Sequence, residues 1–201
     1  MTVASADHSL ETQKKTGAPV WDLPLRLFHW LFAGSVAAAW GLGKFGPDVM
    51  TLHFWFGYAV LALIAFRLIW GFIGSETARF SSFVYSPKTL FSYIAKLPKR
   101  QASNWKGHSP LGGLFVFLLL GVIGAQAALG LFADPEDYIN VGPLASWAGI
   151  DSVRTALAWH GILARATLIL VVLHVAAIFF YRLWKREDLV TPMIKGSRKA
   201  K

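Results

Sequence analysis

The chain has 201 residues, of which 55% are hydrophobic and 15% charged, and its formal net charge at pH 7 is +9. This composition favours a single membrane domain over a soluble core. Because the chain has no cysteine, it can form no disulfide, attach no c-type haem through thioethers and ligate no iron–sulfur cluster. Any bound metal must be held by other side chains.

The N-terminal segment, MTVASADHSLETQKKTGAPVWD, is polar and lacks the pattern of a cleaved signal peptide, in which a basic region precedes an apolar one. We expect residues 1–18 to form a solvated cytoplasmic arm and residues 189–201 a basic cytoplasmic tail. Residues 19–188 are then the membrane domain between them.

Four apolar stretches follow the arm. A bilayer core about 30 Å thick needs roughly 20 apolar residues in a helix, and the stretches at about 23–42, 52–72, 111–132 and 156–183 meet that need. Joined in chain order, they predict an all-α membrane protein, an up-and-down bundle of four transmembrane helices.

The loops between the stretches carry their own signals. In the middle loop, SPKTLFSYIAKL begins with Ser-Pro and has apolar residues at helical spacing, which predicts a short amphipathic helix on the inner interface. The loop after the third stretch, ADPEDYINVGPLASWAGIDSVR, is acidic. We expect it to pack as an outer cap.

The basic residues set the orientation. Sixteen of the twenty Lys and Arg residues lie in the N-terminal part, the middle loop and the C-terminal tail, whereas the other two loops hold only Lys44 and Arg154. This positive-inside bias predicts that both termini and the long middle loop are cytoplasmic. The positive charge is thereby explained without nucleic acid.

Four of the six histidines lie within the apolar stretches, at His29, His53, His160 and His174. Polar residues are costly inside a bilayer and are usually functional there. His160 and His174 are fourteen residues apart, which in a helix is about 40° short of four turns and about 21 Å of rise. Both imidazoles therefore share one helical face at two depths.

The other two histidines match these depths. His29 lies about two turns from the cytoplasmic end of its helix, as His174 does, and His53 shares the outer level with His160. Two facing pairs predict axial bis-histidine ligation of two stacked haem b groups. A tetrahedral zinc site would need all its ligands within a few ångströms. A proton or metal-ion relay is disfavoured because acidic residues are essentially missing from the stretches.

Three more residues are candidate cofactor-binding groups. Arg67, fourteen residues after His53, is predicted to share its face at the inner level and to anchor a haem propionate. Arg165 is rotated about 140° from His160 and would reach an outer propionate, a quinone or the helix backbone. His108, in KGHSPLGG, is either a solvated loop histidine or a group that exchanges protons with quinone.

The sequence resembles the bacterial di-haem cytochrome b561 family, which also contains the b-type subunits of nickel–iron hydrogenases. The resemblance covers nearly the whole chain, through VWDLPLRLFHWLF, LHFWFGYAVLALIAFRLIWGFIGSETARFSSF, GHSPLGG, the His160 and His174 pair and REDLVTPMIKGSRK. It implies four helices, two non-covalent b haems and His29, His53, His160 and His174 as their axial ligands.

The function that the resemblance implies is electron transfer across the membrane between the quinone pool and a periplasmic partner, such as a cytochrome or a hydrogenase. Two alternatives stay open: a superoxide:quinone oxidoreductase, and a haem-free scaffold or ion transporter. The outer loops hold more acidic than basic residues, which disfavours attraction of superoxide and favours a cationic protein partner. Membrane lipid is an expected partner, and a homodimer is left open.

Overall fold

The computed structural model of the chain describes residues 20–101 and 105–198. Within these ranges all regular elements are helical and no β-strand occurs, so the predicted all-α class is confirmed for the described residues. The predicted arm at residues 1–18 lies outside the described residues. So do residues 102–104 and the last three residues of the predicted tail.

Long helices carry the four apolar stretches. The α-helices of the described residues are α1 (Leu23–Phe45), α2 (Thr51–Ile73), α3 (Pro87–Lys96), α4 (Pro110–Gly130), α5 (Ile150–Phe180) and α6 (Val190–Lys195). A π-helical turn, Tyr181–Lys185, continues α5. Helix α5 begins at Ile150, earlier than the predicted residue 156. The prediction began too late because Asp151, Ser152 and Arg154 in the first turns interrupt the apolar pattern.

Three helical segments are long and apolar enough to cross a membrane: Thr51–Ile73, Pro110–Gly130 and Ile150–Lys185. The helix α1 has the same 23-residue length as α2, but it carries Arg26 and His29 near its start and Lys44 in its last turn. These polar residues lower its mean hydropathy. The composition of the described helices therefore supports three spans, and α1 as the fourth span remains a prediction.

Short polar side chains start several helices. Asp22 accepts a hydrogen bond from the backbone N–H of Leu25 at 2.7 Å, at the start of α1. Ser86 caps α3, where the predicted Ser-Pro start is found, and accepts from the N–H of Thr89 at 3.2 Å. Ser109 does the same for Gly112 in α4. Each cap satisfies a backbone donor that the first helical turn leaves unpaired.

The described residues form two compact units. We call residues 28–69 and 114–174 the histidine unit, and residues 20–27, 70–113 and 175–198 the end unit. The histidine unit contains the larger parts of α1, α2, α4 and α5, whereas α3 and α6 lie in the end unit.

The end unit is organised around Asp22. Beyond the Leu25 N–H, its carboxylate accepts hydrogen bonds from Nε1 of Trp70 at 3.1 Å and from the hydroxyl of Ser75. One carboxylate thus joins the beginning of α1 to the end of α2 and to the loop that follows α2. In addition, the hydroxyl of Thr77 donates to the carbonyl of Val20 at 2.6 Å.

The C-terminal segment is also part of the end unit. Sequence analysis predicts a basic tail from residue 189, and the structure places α6 within it. The carbonyl of Gly196 accepts from the N–H of Val20 at 2.8 Å, and Arg198 donates to the carbonyl of Trp105 at 2.8 Å. These backbone contacts order a segment whose composition alone indicates a solvated tail.

We predict that Asp22→Ala lowers the free energy of unfolding by about 1–3 kcal/mol, because it leaves part-buried donors without their acceptor. Thermal unfolding of the detergent-solubilised chain measures the change. Asp48→Ala is the matched control, because Asp48 is exposed. Equal melting temperatures for the two variants would contradict the role assigned to Asp22.

Candidate functional site

The structure brings the four histidines of the apolar stretches together in two pairs. The ring centroids of His29 and His174 are 6.4 Å apart, and those of His53 and His160 are 5.9 Å apart. All four lie in the histidine unit. These are the pairs that the depth argument predicts, and we call them the inner pair (His29 and His174) and the outer pair (His53 and His160).

Helix α5 contributes one imidazole to each pair. Since α5 is continuous from Ile150 to Phe180, the fourteen residues between His160 and His174 correspond to about 21 Å along its axis. The two pairs are therefore separate sites. Helix α1 supplies the partner in the inner pair, and α2 supplies the partner in the outer pair.

Main-chain carbonyls orient both imidazoles of the outer pair. Nδ1 of His53 lies 2.8 Å from the carbonyl oxygen of Ala39 in α1, and Nδ1 of His160 lies 2.7 Å from that of Gln126 in α4. A carbonyl oxygen can only accept, so each Nδ1 carries the proton and donates. Each Nε2 is then unprotonated in the neutral ring, with a lone pair available to a metal ion.

A glycine lies one helical turn after each of these carbonyls. A methyl group at Gly43 would be 3.0 Å from Cε1 of His53, and a methyl group at Gly130 would be 3.0 Å from Cε1 of His160. In an α-helix the carbonyl of residue i already accepts from the N–H of residue i+4. The absence of a side chain at i+4 allows the imidazole to reach the second lone pair of the same carbonyl.

Gln126 also fixes the outer pair through its side chain. The buried hydroxyl of Thr167, two turns after His160 on α5, donates to Oε1 of Gln126 at 2.6 Å. Gln126 therefore bonds α5 twice, once through its main chain and once through its side chain. Sequence analysis missed both residues, although a glutamine within GAQAALG is a polar residue in an apolar stretch and was a usable signal.

The inner pair lacks this carbonyl support at His29. Nδ1 of His29 is buried and makes no hydrogen bond to a described residue. Its imidazole instead packs edge-on against Trp30, with ring centroids 5.1 Å apart. Aromatic packing restrains the ring of His29, but no hydrogen bond to a described residue at Nδ1 selects its tautomer.

The residues fit a haem better than a bare metal ion. No group of three or more His, Cys, Asp or Glu side chains among the described residues could hold a metal, so each pair supplies two ligands only. Two imidazoles on opposite sides of one metal, with metal–nitrogen bonds of about 2 Å, place their ring centroids roughly 6 Å apart. The observed spacings match this value, and the remaining ligands of the iron would come from a porphyrin.

A small cavity lies beside the outer pair. It has a volume of about 40 Å³ and its lining includes His53, His160, Gly57 and Thr167. A methyl group at Gly57 would meet no atom within 4 Å. The cavity is much smaller than a porphyrin, so the fit to haem rests on the imidazole spacing and not on this volume.

The two arginines predicted to bind cofactors lie in different surroundings. Arg67, on α2 in the histidine unit, is 2% exposed. Arg165 on α5 is exposed, whereas Thr167 two residues later is buried. Two helical residues turn the chain by about 200°, which places Arg165 on the side of α5 opposite the hydrogen bond to Gln126. Its predicted contact with an outer propionate, a quinone or the helix backbone stays a prediction.

His108 belongs to the end unit and not to either pair. Its imidazole packs between Trp21 and Phe83, with ring-centroid distances of 4.6 and 4.4 Å. Its carbonyl accepts a hydrogen bond from the hydroxyl of Tyr85 at 2.9 Å. Packing between two aromatic rings favours a positioned, partly buried side chain over a solvated loop histidine.

The acidic loop between α4 and α5 is ordered by its own carboxylates. Asp137 accepts from the N–H groups of Ile139 and Asn140, and the Asn140 amide donates to the carbonyl of Asp48 at 2.7 Å. The hydrogen bonds from Asn140 and Ile139 hold the pKa of Asp137 below its usual value. The hydrogen bond from Arg154 lowers the pKa of Glu136 in the same way, so both carboxylates remain ionised at neutral pH.

Comparison with known sequences supports one family. A sequence profile of the prokaryotic cytochrome b561 family matches residues 20–196. The chain is 24% identical over 234 aligned positions to a probable Ni/Fe-hydrogenase B-type cytochrome subunit of Azotobacter chroococcum mcd 1, covering 98% of this chain and 95% of that protein. Proteins with the same name from Azotobacter vinelandii (24% identical) and Rhizobium leguminosarum bv. viciae (22% identical) match with the same coverage of each chain. No solved structure matches the chain.

We predict that Gly130→Ala displaces the His160 imidazole from the Gln126 carbonyl and lowers haem bound per chain by about half, since loss of such a supporting hydrogen bond costs about 10–100-fold in metal affinity. Haem per chain is measured by pyridine haemochrome absorbance. The control is Gly121→Ala on the same helix, where a methyl group meets nothing within 4 Å. Equal haem contents in both variants would contradict the glycine's role.

Proposed function

The chain belongs to the prokaryotic cytochrome b561 family of membrane b-type electron-transfer proteins, and from this we propose that it is a di-haem cytochrome linking quinone to a periplasmic redox partner. The observation that carries the proposal is the presence of two facing imidazole pairs in one unit, at 6.4 and 5.9 Å between ring centroids. One histidine pair alone would support a single redox centre, whereas pairs at two depths support an electron path across the bilayer.

The four histidines hold the cofactors in this proposal. His29 and His174 ligate one iron, and His53 and His160 ligate the other. Haem would supply one-electron redox chemistry at each pair, where the two histidine imidazoles would hold its iron. Because the Nδ1–H groups of His53 and His160 are fixed by carbonyls, these rings need little reorganisation when they ligate.

Arg67 is proposed as the propionate partner of the inner haem. The residue is 2% exposed, and its guanidinium is of the kind that holds a carboxylate through two parallel hydrogen bonds. Arg165 has a different environment, because it is exposed on the opposite side of α5. Its proposed partner stays an outer propionate, a quinone or the helix backbone.

Quinone is proposed as the lipid-soluble redox partner on the inner side. An electron path inside a bilayer can exchange electrons with a carrier dissolved in the same bilayer, and the protons must then reach water. His108 is the proposed proton-exchanging group because an imidazole can both accept and donate a proton and because it lies in the loop that precedes α4.

The orientation and the outer partner are proposed from charge. The distribution of Lys and Arg favours cytoplasmic termini in a bacterial inner membrane, so the loop containing Asp134, Glu136 and Asp137 faces the periplasm. Its carboxylates attract a cationic protein surface and repel an anion such as superoxide. Because similar proteins are named hydrogenase cytochrome subunits, a hydrogenase or a comparable redox enzyme is the proposed partner.

We predict that each single substitution to alanine among the four ligands removes one haem only. His29→Ala and His174→Ala should give the same residual spectrum, and His53→Ala and His160→Ala should share a different one, because each pair holds one iron. Haem per chain and low-temperature reduced-minus-oxidised spectra measure this, with the inner and outer variants serving as controls for one another. Wild-type protein without a b-type band would refute the proposal as a whole.

We predict that liposomes containing quinol and the full chain reduce ferricyanide outside much faster than protein-free liposomes do. The double variant His53→Ala/His160→Ala should reduce ferricyanide at least about tenfold more slowly, because the outer pair is the last electron-transfer site before the outer surface. Asp48→Ala is the control. An unchanged rate in the double variant would contradict transmembrane electron transfer, and rapid haem reduction by superoxide would favour the superoxide:quinone alternative.

A further inference from the structure

A cavity of about 490 Å³ lies in the end unit beside α3. Its lining contains lysines and hydroxyl-bearing side chains: Lys88, Lys96, Lys99, Lys185, Thr89, Ser92 and Tyr93. It lies outside the histidine unit and none of the haem-ligand candidates lines it. Its volume falls in the range of about 300–1,000 Å³ that is typical of pockets for small ligands.

The charge of this lysine pocket is not neutralised within the described residues. The ion pairs there join Lys106 to Glu76, Arg154 to Glu136 and Arg182 to Asp188, and none involves a lysine of the pocket. Among residues 20–101 and 105–198, no acidic side chain lines the cavity. Four ammonium groups around one cavity repel each other, and an anion bound among them would relieve that repulsion.

One ammonium of the pocket is buried, whereas Lys88, Lys96 and Lys99 are exposed. Nζ of Lys185 is buried and donates to the carbonyl of Lys99 at 2.6 Å, which ties the π-helical turn after α5 to the segment after α3. The hydroxyls of Tyr93 and Tyr181 are hydrogen-bonded to each other. Since an ammonium has three N–H donors, Lys185 retains donor capacity toward the cavity that it lines.

The opposite face of α3 is apolar and exposed. Phe91 is 69% exposed and Ile94 is 40% exposed, whereas the lysine and hydroxyl side chains of the helix line the cavity. An amphipathic helix of this kind lies at a membrane interface with its apolar face toward the acyl chains. The guanidinium of Arg100 lies over the ring of Trp184, 5.6 Å from its centroid. A tryptophan paired with an arginine suits the membrane interface, as the amphipathic helix does.

We propose that the lysine pocket binds a phosphate-bearing ligand, and that the ligand is the headgroup of an anionic phospholipid. The chemistry follows from the two faces of α3. Ammonium and hydroxyl groups surround the cavity and can bind phosphate oxygens, while the exposed apolar face next to it can contact the acyl chains of the same lipid. Basic pockets beside membrane helices bind acidic headgroups for this reason.

The experiment measures lipid retention and not electron transfer, so its failure is separable from failure of the di-haem proposal. The full-length holoprotein is delipidated in detergent, incubated with phosphatidylglycerol or phosphatidylcholine, and examined by native mass spectrometry. The pocket variant is Lys88→Gln/Lys96→Gln/Lys99→Gln. The control, Lys44→Gln/Lys106→Gln/Lys195→Gln, has the same change of net charge at residues outside the pocket, and the haem spectrum verifies folding of both.

We expect the wild type and the control to retain phosphatidylglycerol in preference to phosphatidylcholine, and the pocket variant to lose at least about tenfold of that retention. If millimolar inorganic phosphate alone displaces the lipid, the pocket binds phosphate from a soluble source, and the assignment to a lipid headgroup is overturned. Equal loss of lipid in the pocket and control variants would overturn the proposal, because general surface charge would then explain retention. No preference for phosphatidylglycerol in the wild type would overturn it as well.

Discussion

The hydrogen bond between a histidine Nδ1 and a main-chain carbonyl of a neighbouring helix is the interaction on which the outer pair depends. In apolar surroundings, an imidazole N–H without a hydrogen-bond acceptor costs free energy. The carbonyls of Ala39 and Gln126 supply that partner at 2.8 and 2.7 Å. As a result, the tautomer, the ring orientation and the exposed Nε2 lone pair are all determined by backbone geometry.

The same solution is used twice, and each use requires a glycine at i+4. Gly43 follows Ala39 by one turn and Gly130 follows Gln126 by one turn, and a methyl group at either glycine would be 3.0 Å from an imidazole carbon. The two glycines therefore have a function beyond close helix packing. The inner pair shows no equivalent at His29, whose Nδ1 is buried without a hydrogen bond to a described residue, so support by the protein is unequal at the two levels.

Helical period and hydrophobicity were sufficient to predict the class of fold and the pairing of the histidines, because both follow from a rise and a rotation per residue. They could not predict the glycine positions, since glycine at Gly43 or Gly130 looks the same in sequence as one in open space at Gly41 or Gly121. The order in the C-terminal segment was also not predictable. It depends on hydrogen bonds between Gly196 and Val20, which are distant in sequence and carry no local pattern.

Helix α5 relates the chain's two kinds of charged surface. It begins beside the acidic loop, with Asp151 in its first turn, and its π-helical continuation ends at Lys185 in the lysine pocket. Between Arg154 and Arg182 the helix carries His160 and His174 and a single formal charge, Arg165. Ions at both ends and few within suit a segment that crosses a bilayer. Because the charged residues beside the two ends of α5 have opposite sign, each end would attract ions that the other repels.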